Sequence, residues 1–196
     1  MSAAEQLNAG NTFEFAKPTP IASVSLRDAE ISIGPILPED TGPMFLWMND
    51  VAAANLDFAY RPVDWMAFKA WSEELSRSST ATLFAIRKVS QLKPIGFVLF
   101  KNIQAVHRSA ELGIRIGDES ERSKGYGRAA TALALLYAWN HLNLKRVHLQ
   151  VFAHNARALR AYRAGGFIEE GRLRQAAFID GKWADIVLMA SLNPAG

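Results

Sequence analysis

The chain has 196 residues, of which 49% are hydrophobic and 21% charged, and it contains no cysteine. This length and composition are typical of one globular domain and exclude disordered and fibrous proteins. The missing cysteines exclude a disulfide framework, a thiolate metal site and a cysteine nucleophile. The net charge of +3 is too small, as a global figure, to indicate nucleic-acid binding.

The N-terminal segment predicts an extension rather than a domain. Residues 1 to about 20 are polar and end in Lys17-Pro18-Thr19-Pro20, which indicates a flexible leader within an extension of residues 1–28. The segment lacks the basic and apolar regions of a secretory signal, and no stretch approaches the roughly 18 apolar residues of a membrane span. We therefore expect a cytoplasmic protein with no membrane partner.

Strand-like and helix-like segments alternate along the remainder of the chain. Alternation of apolar residues predicts strands, and apolar residues at helical spacing predict helices. In chain order, the predicted elements are a strand over Ile31–Ile36, helices over Thr41–Met48 and Asp64–Leu75, strands over Thr82–Arg87, Ile95–Lys101 and Ala110–Ile116, a helix over Gly127–Asn140, a strand over Arg146–Phe152, a helix over Asn155–Arg163, and strands over Phe167–Arg172 and Ala184–Ser191.

This order of elements predicts the fold class. Consecutive strands followed by a β-α-β-α-β succession indicate a single α/β domain, with a mixed sheet and helices on both faces. Asp64 is predicted to cap the second helix. The strongest helix signal has an apolar face formed by Ala130, Leu133, Ala134, Tyr137 and Ala138.

The densest chemical signal is the glycine turn Glu121–Ala130, between a predicted strand and the strongest helix. Gly125 and Gly127 permit a tight turn and close approach of a ligand to the backbone. The free N–H groups of the first helical turn, together with the helix dipole, favour a phosphate or pyrophosphate. Three basic side chains add positive charge at the same place: Arg122, Lys124 and Arg128.

The glycine turn has other interpretations. Gly125–Ala130 matches the dinucleotide fingerprint GxGxxA, which needs an acidic residue about 20 positions later for the ribose. Lys145 and Arg146 stand there instead, and no acid appears before Glu169. A Walker A loop is excluded because no Gly-Lys-Ser/Thr closes the turn. A turn that merely connects a strand to a helix remains open.

Two motifs in the C-terminal half resemble those of one enzyme family. The pattern Arg122-x-x-Gly125-x-Gly127 at a helix start resembles motif A of the GCN5-related N-acetyltransferases (GNAT). Asn155–Phe167 resembles the second signature, Asn-x-x-(A/S)-x-x-x-Tyr-x-x-x-Gly-Phe. Trp47–Asp50 and Phe178–Asp185 are similar to segments found in the branch of this family that acetylates spermidine, ribosomal-protein N-termini and amino sugars. The resemblance covers about residues 29–192, the expected acetyltransferase domain, although the common Pro-Glu-Tyr/His is missing between Glu111 and Arg122.

The resemblance implies a mostly antiparallel sheet that splays in a V between two central parallel strands, here Ala110–Ile116 and Arg146–Phe152. The pantetheine arm of acetyl-CoA would enter the splay and pair with the backbone of Ile114 and Ile116. Asn155 would hydrogen-bond the arm or cap its helix, and either role is common. The pyrophosphate would be held around Arg122, Ser123, Lys124, Gly125, Tyr126, Gly127 and Arg128.

Two arginines near the second signature have two interpretations of equal weight. Arg160 and Arg163 would bind the 3′-phosphate of the cofactor or form a solvated basic helix face. The local charge is consistent with a phosphate-rich ligand. Residues 120–175 contain 10 basic and 3 acidic residues, a local charge of +7, whereas the rest of the chain carries −4.

The resemblance also implies the catalytic residues. Tyr162 would be the general acid that protonates the departing coenzyme A thiolate, and otherwise a core tyrosine. Glu111 would accept the proton of the amine directly or through water. Alternatively, Glu111 orients a cationic substrate or pairs with Arg108 or Arg115.

The acceptor amine is only weakly constrained by sequence. The resemblance implies that substrates enter over residues 45–71. Aromatic side chains and Asp50, Asp57 and Asp64 lie in this segment and would suit a cationic amine. Ordinary helix packing and capping explain most of these residues equally well, since Trp65, Phe68 and Trp71 keep helical spacing. A polyamine, an amino sugar, an aminoglycoside-like compound and a protein N-terminus all remain open.

The sequence therefore predicts an acetyl-CoA-dependent N-acetyltransferase that acts on a small primary amine by direct attack. Protein N-terminal acetylation and a non-catalytic acetyl-CoA-binding module are the alternatives. A nucleic-acid partner is the least favoured of the alternatives. The four histidines lack metal-ligand spacing, so no metal is expected. The sequence itself does not determine assembly. The closing hairpin often contributes to dimers in this branch, which makes a homodimer one expectation.

Overall fold

The computed structural model describes residues 24–25, 30–53, 60–90 and 93–195. The predicted leader over residues 1–20 lies outside these residues. Helices α1 to α4 begin and end as predicted to within two residues. They span Thr41–Met48, Trp65–Arg77, Tyr126–Asn140 and Ala156–Ala164.

The described strands form one sheet in the order β1-β2-β3-β4-β5-β6-β8-β7. Every neighbouring pair in the described sheet is antiparallel except β5 and β6, which are parallel. The predicted mixed α/β architecture is therefore confirmed. In chain order the strands are β1 Val24–Ser25, β2 Ile31–Gly34, β3 Thr82–Lys88, β4 Pro94–Gln104, β5 Ser109–Ile116, β6 Arg146–Phe152, β7 Ile168–Ile179 and β8 Lys182–Leu192.

The largest departure from the predicted bounds lies in the closing hairpin. Strands β7 and β8 are 12 and 11 residues long, whereas the sequence predicted shorter strands. Strand β7 is the exposed edge of the sheet, so its residues from Arg172 onward lack the apolar alternation that reveals a half-buried strand. At the other edge, the backbone of Val24 and Ser25, within the predicted extension, pairs with β2.

The central parallel strands separate along their length. Pairing joins Ser109, Ala110 and Glu111 of β5 to Arg146, Val147 and His148 of β6. In the described sheet it ends there, although the two strands continue to Ile116 and Phe152. The sheet therefore opens in a V, as the resemblance implied.

The hydrophobic core lies between the sheet and α3. The predicted apolar face of α3 is buried at Ala130, Leu133, Ala134 and Ala138, while Tyr137 is partly buried against the core. Core side chains of the sheet meet this face, and their burial holds the helix start of α3 at the open end of the V. They include Ile33, Ile86, Val98, Phe100, Leu112, Val147, Leu149 and Met189.

Candidate active site

Two cavities meet at the open end of the V. The loop-side cavity, about 400 Å³, lies between the glycine turn and α4. The sheet-side cavity, about 440 Å³, lies over β4, β5 and β6 and reaches the closing hairpin. The two cavities adjoin at the V, because they share part of their lining. The residues that line both cavities are Ile114, Arg115, Asn155, Ala158 and Tyr162.

The glycine turn presents backbone donors to the loop-side cavity. Gly125 is the N-cap of α3 and has a φ of +87°, a conformation that favours glycine. A glycine cap has no side chain with which to satisfy the first-turn N–H groups. Ser123 has a φ of +64°, which is uncommon for a residue with a Cβ and is held by the surrounding turn. The result is a helix start whose free N–H groups could receive an anion.

The charges around the loop-side cavity suit a polyanion. Glu121 is the one acidic residue among the described residues that line it. Lys88 and Lys124 both pair with this carboxylate, and their hydrogen bonds lower its pKa. Five arginines line the same cavity: Arg115, Arg122, Arg128, Arg157 and Arg160. The cradle of amides and guanidinium groups therefore fits the pyrophosphate and phosphate of a coenzyme A-type cofactor.

The Arg122 side chain braces the turn from within. Its guanidinium donates to the carbonyl oxygens of Ile116 and Gly117, at 3.2 and 3.0 Å, and to Asp50 Oδ2 at 3.2 Å. Its backbone N–H donates to the Glu119 carbonyl oxygen. Asp50 also accepts from the Ala53 N–H, and this bond, followed by the bond from Arg122, lowers the pKa of Asp50. Arg122 thus joins the turn to the end of β5 and to the segment after α1.

The Trp47–Asp50 motif has a structural role that sequence reasoning missed. A Cβ on Gly117 would lie 2.0 Å from the Trp47 ring, so only glycine permits this contact. Asn49 exchanges two hydrogen bonds of 3.0 Å with the backbone of Val63, which joins the two ends of the connection between α1 and α2. With the Asp50–Arg122 pair, the motif fixes helices α1 and α2 to the glycine turn.

Three predicted cofactor residues lie outside the set that lines the loop-side cavity. The Lys124 ammonium lies 3.0 Å from Glu121 Oε2. The Tyr126 ring lies under the Lys88 ammonium, and burial and a hydrogen bond to Glu30 raise the pKa of Tyr126. Arg163 donates to Glu169 at 3.1 Å.

Arg157 lines the loop-side cavity but was missed by the sequence analysis. The signal was present, because Arg157 lies three residues before Arg160 and hence on the same face of α4. The predicted residues that do line this cavity are Ile114, Ile116, Arg122, Ser123, Gly125, Gly127, Arg128, Asn155, Arg160 and Tyr162.

Asn155 and Tyr162 lie where the two cavities join. Asn155 is 6% exposed, and its Oδ1 accepts from the Ala158 N–H at 3.0 Å. It therefore caps α4 and also borders both cavities, so the two predicted roles are compatible. Tyr162 is 9% exposed and packs against Phe167, with ring centroids 5.7 Å apart. It belongs to the core and yet borders both cavities.

Glu111 lies at the end of the paired region and borders the sheet-side cavity. The Lys101 ammonium lies 2.9 Å from its Oε1, and Asn102 donates to Oε2 at 3.3 Å. The arginines that the sequence offered as partners have other contacts. Arg108 donates to Asn143, and Arg115 donates to the Trp47 carbonyl oxygen at 2.6 Å. Lys101 was missed because it lies on a different strand, paired in register with Glu111.

The predicted acceptor region is largely explained by packing and capping. Rings of α1 and α2 pack together, with Phe45 and Phe68 centroids 5.2 and 5.7 Å from that of Trp65. Asp64 caps α2 by accepting from the Ala67 N–H, as predicted. Asp57 lies outside the described residues.

Two absences hold for the described part of the chain. No group of three or more His, Asp or Glu side chains there is placed to hold a metal ion. None of its helices is long and apolar enough to cross a membrane.

Comparison with known proteins identifies several relatives. A spermidine N(1)-acetyltransferase of Vibrio cholerae is 38% identical over 104 residues, which is 53% of this chain and 60% of that protein. The [ribosomal protein uS5]-alanine N-acetyltransferase of Escherichia coli is 27% identical over 134 residues, or 68% of this chain and 69% of that protein. The match to the Vibrio relative thus spans only three fifths of that relative's length.

Solved structures share the fold. Spermidine N-acetyltransferase of Vibrio cholerae in complex with CoA and spermine superposes with a TM-score of 0.78 at 26% identity, over 83% of this chain and 95% of that one. A dodecameric structure of the same Vibrio enzyme gives a TM-score of 0.70 at 26% identity, over 83% of this chain and 94% of that one.

The family model for an acetyltransferase (GNAT) domain matches residues 31–168, which include the glycine turn, the V and the whole of α4. GNAT acetyltransferases use acetyl-CoA, in keeping with the basic loop-side cavity. The predicted resemblance is therefore confirmed, and the chain belongs to the GNAT family of acetyltransferases.

Proposed function

We propose that this protein is an acetyl-CoA-dependent N-acetyltransferase that acts on the primary amine of a small molecule. One observation carries the proposal: a basic cavity and a largely apolar cavity meet through the V of the sheet, at Asn155 and Tyr162. The first cavity suits a phosphate-rich cofactor and the second suits an acceptor. A transfer between two such ligands requires this kind of junction.

The loop-side residues would hold acetyl-CoA, which supplies the thioester whose acetyl group is transferred. First-turn amides of α3 would receive the pyrophosphate, and Arg128, Arg157 and Arg160 would surround the phosphates. The edge of β5 at Ile114 and Ile116 would receive the pantetheine amides. Because the chain has no cysteine, a cysteine-linked acetyl-enzyme is impossible, and the amine attacks directly.

Glu111 and Tyr162 would handle the protons. Only a neutral amine attacks a thioester, and Glu111 borders the sheet-side cavity from which an amine would approach. Tyr162 lies at the junction and would donate its hydroxyl proton to the departing thiolate. Lys101 would keep the Glu111 carboxylate oriented, through the contact of 2.9 Å.

A small acceptor is favoured over a protein N-terminus by the size of the sheet-side cavity. Its volume of about 440 Å³ lies within the range of small-molecule sites. The similarity to the [ribosomal protein uS5]-alanine N-acetyltransferase supports a protein N-terminus as the second candidate acceptor.

The test is a thiol-release assay with acetyl-CoA over a panel of amines that includes peptides with free N-termini. We expect thiol release with at least one small primary amine. Release with peptides alone would replace the small-molecule acceptor by a protein acceptor. Tight acetyl-CoA binding without release over the whole panel would indicate a non-catalytic binding module and overturn the proposal.

We also propose the domain bounds and the assembly. The acetyltransferase domain would run from residue 29 to residue 192, since β8 extends beyond the matched segment to Leu192. The closing hairpin would contribute to a homodimer, because the Phe178 and Trp183 rings lie 5.3 Å apart and are 54% and 63% exposed. Light scattering of the wild-type protein and of Trp183→Ser would test this: equal masses at monomer size would contradict it.

A further inference from the structure

The sheet-side cavity is the approach left to the acceptor. The loop-side cavity is lined by five arginines, which oppose the entry of a cationic amine. The two cavities join only through the residues around Tyr162 and Asn155, in the described part of the chain. An amine that reaches the junction from the other side must therefore cross the sheet-side cavity, and its walls select the acceptor.

These walls are mainly apolar. Large apolar side chains line the cavity from four strands: Phe97 and Leu99 on β4, Leu112 and Ile114 on β5, Phe152 on β6, and Ile186 on β8. Phe97 and Leu99 stand opposite Arg115 and Gly113 in the register, and Ile186 stands opposite Phe152. Such a surface stabilises a hydrocarbon chain or ring, since burial of apolar area is favourable.

The charged groups of the cavity suit one ammonium group at most. Glu111 is the one carboxylate among its described lining residues, and Lys101 already lies 2.9 Å from it. Arg115 is a second cation in the lining. A second ammonium group would therefore face an apolar wall and two cations without a carboxylate of its own, which is costly.

The strands around the cavity also lack an acid without a basic partner. The acids that lie in the strands β4, β5, β6, β7 and β8 themselves are Glu111, Glu169, Glu170 and Asp185, and each has a basic partner. Arg163 pairs with Glu169, Arg146 with Glu170 and Arg172 with Asp185. The same strands also carry Arg174 and Lys182, so their basic residues exceed their acids.

We infer that the acceptor is a primary amine with a single positive charge on an apolar alkyl or aromatic body. A polyamine, the ligand of the Vibrio relative in its spermine complex, is disfavoured in this chain. This inference rests on the proposed acetyl transfer and names the class of its acceptor. One carboxylate, Glu111, receives one ammonium, and the apolar strands receive the body.

The test compares two amines that differ by one charge, n-hexylamine and 1,6-diaminohexane, with tryptamine and spermidine as the aromatic and polyamine members. We expect kcat/KM for the monoamine to exceed that for the diamine by about tenfold or more, measured by thiol release. Equal values, or a preference for the diamine or spermidine, would overturn the inference while leaving the proposed acetyl transfer in place. No release with any small amine would overturn both.

A charge reversal tests the cause of the preference. Lys101→Glu adds a carboxylate to the cavity, so the ratio of monoamine to diamine kcat/KM should fall severalfold. Lys182→Glu makes the same change in charge on β8, outside the described lining, and should leave the ratio unchanged. A ratio that moves equally in both variants would show that net charge, rather than this cavity, sets the preference. The wild-type comparison requires neither variant to fold.

Discussion

The two cavities of this protein differ chiefly in the charged residues that line them. The loop-side cavity combines a helix start with five arginines and one acid, so it would select a polyanion. The sheet-side cavity combines apolar strand residues with one carboxylate and two cations, so it would select a ligand by shape and hydrophobic area. They meet at Tyr162, which lines both cavities although it lies largely in the core. A change on one side should therefore affect one ligand, and a change at the junction should affect the chemistry alone.

The largest effect is expected at the junction. Tyr162→Phe removes the hydroxyl and keeps the ring against Phe167, so kcat should fall more than tenfold. The affinity for acetyl-CoA, measured by calorimetry, should remain within about twofold because the ring still fills its place. Tyr137→Phe on α3, which packs against Phe84 outside both cavities, is the matched control. Unchanged turnover in Tyr162→Phe would remove this residue from the mechanism.

A smaller effect, confined to the acceptor side, is expected at Glu111. Glu111→Gln keeps the size of the side chain but cannot accept a proton, so kcat/KM for the amine should fall about tenfold. The acidic limb of the pH–rate profile should shift, while acetyl-CoA affinity stays constant. Glu170→Gln on β7 removes a paired carboxylate outside the cavity and serves as the control. An acidic limb that does not move would argue against the role of base.

The loop side can be changed without harming the fold. A Cβ on Gly127 meets no atom within 4 Å, and alanine is favoured over glycine in a helix. Gly127→Ala should therefore fold at least as stably and yet bind acetyl-CoA about fivefold more weakly, since the methyl group faces the cofactor cavity.

The neighbouring glycine gives the contrasting result. Gly125→Ala is strained by its φ of +87° and should lose about 1 kcal/mol in free energy of unfolding. Denaturant unfolding and calorimetry separate the two outcomes. Full acetyl-CoA affinity in a stable Gly127→Ala would place the cofactor away from this turn.

Salt should give the smallest and most selective effect. Raising NaCl screens the attraction between phosphates and the arginines, so KM for acetyl-CoA should rise about threefold between roughly 0.05 and 0.5 M. KM for n-hexylamine should change by less than about twofold, because hydrophobic contact is not screened. Steady-state kinetics measure both values. A parallel rise of the two would contradict the division between a charged and an apolar cavity.

Local patterns in the sequence were sufficient to predict the elements and to single out the glycine turn. Helical spacing located α3 and α4, and the glycine turn indicated an anion site, because both signals depend on residues a few positions apart. Asp64 and Asn155 were predicted as helix caps for the same reason, and both cap their helices.

Contacts between distant segments could not be predicted in this way. Lys101 reaches Glu111 across two paired strands, and Arg122 reaches Asp50 across 72 positions of sequence. The packing of Trp47 on Gly117 likewise joins α1 to the end of β5. Such pairs leave no periodic trace, since each depends on register and sheet order rather than on spacing along the chain.

The sequence by itself thus determined the family, the glycine turn and the candidates Glu111, Asn155 and Tyr162, because these lie in short motifs. The tertiary structure decided where the charges act. It placed Lys101 beside Glu111 and Asp50 beside Arg122 of the turn, and it separated a cavity lined by five arginines from one lined by one arginine and one lysine. The physical reason is that charge complementarity depends on distances across the V, and only the folded sheet sets those distances.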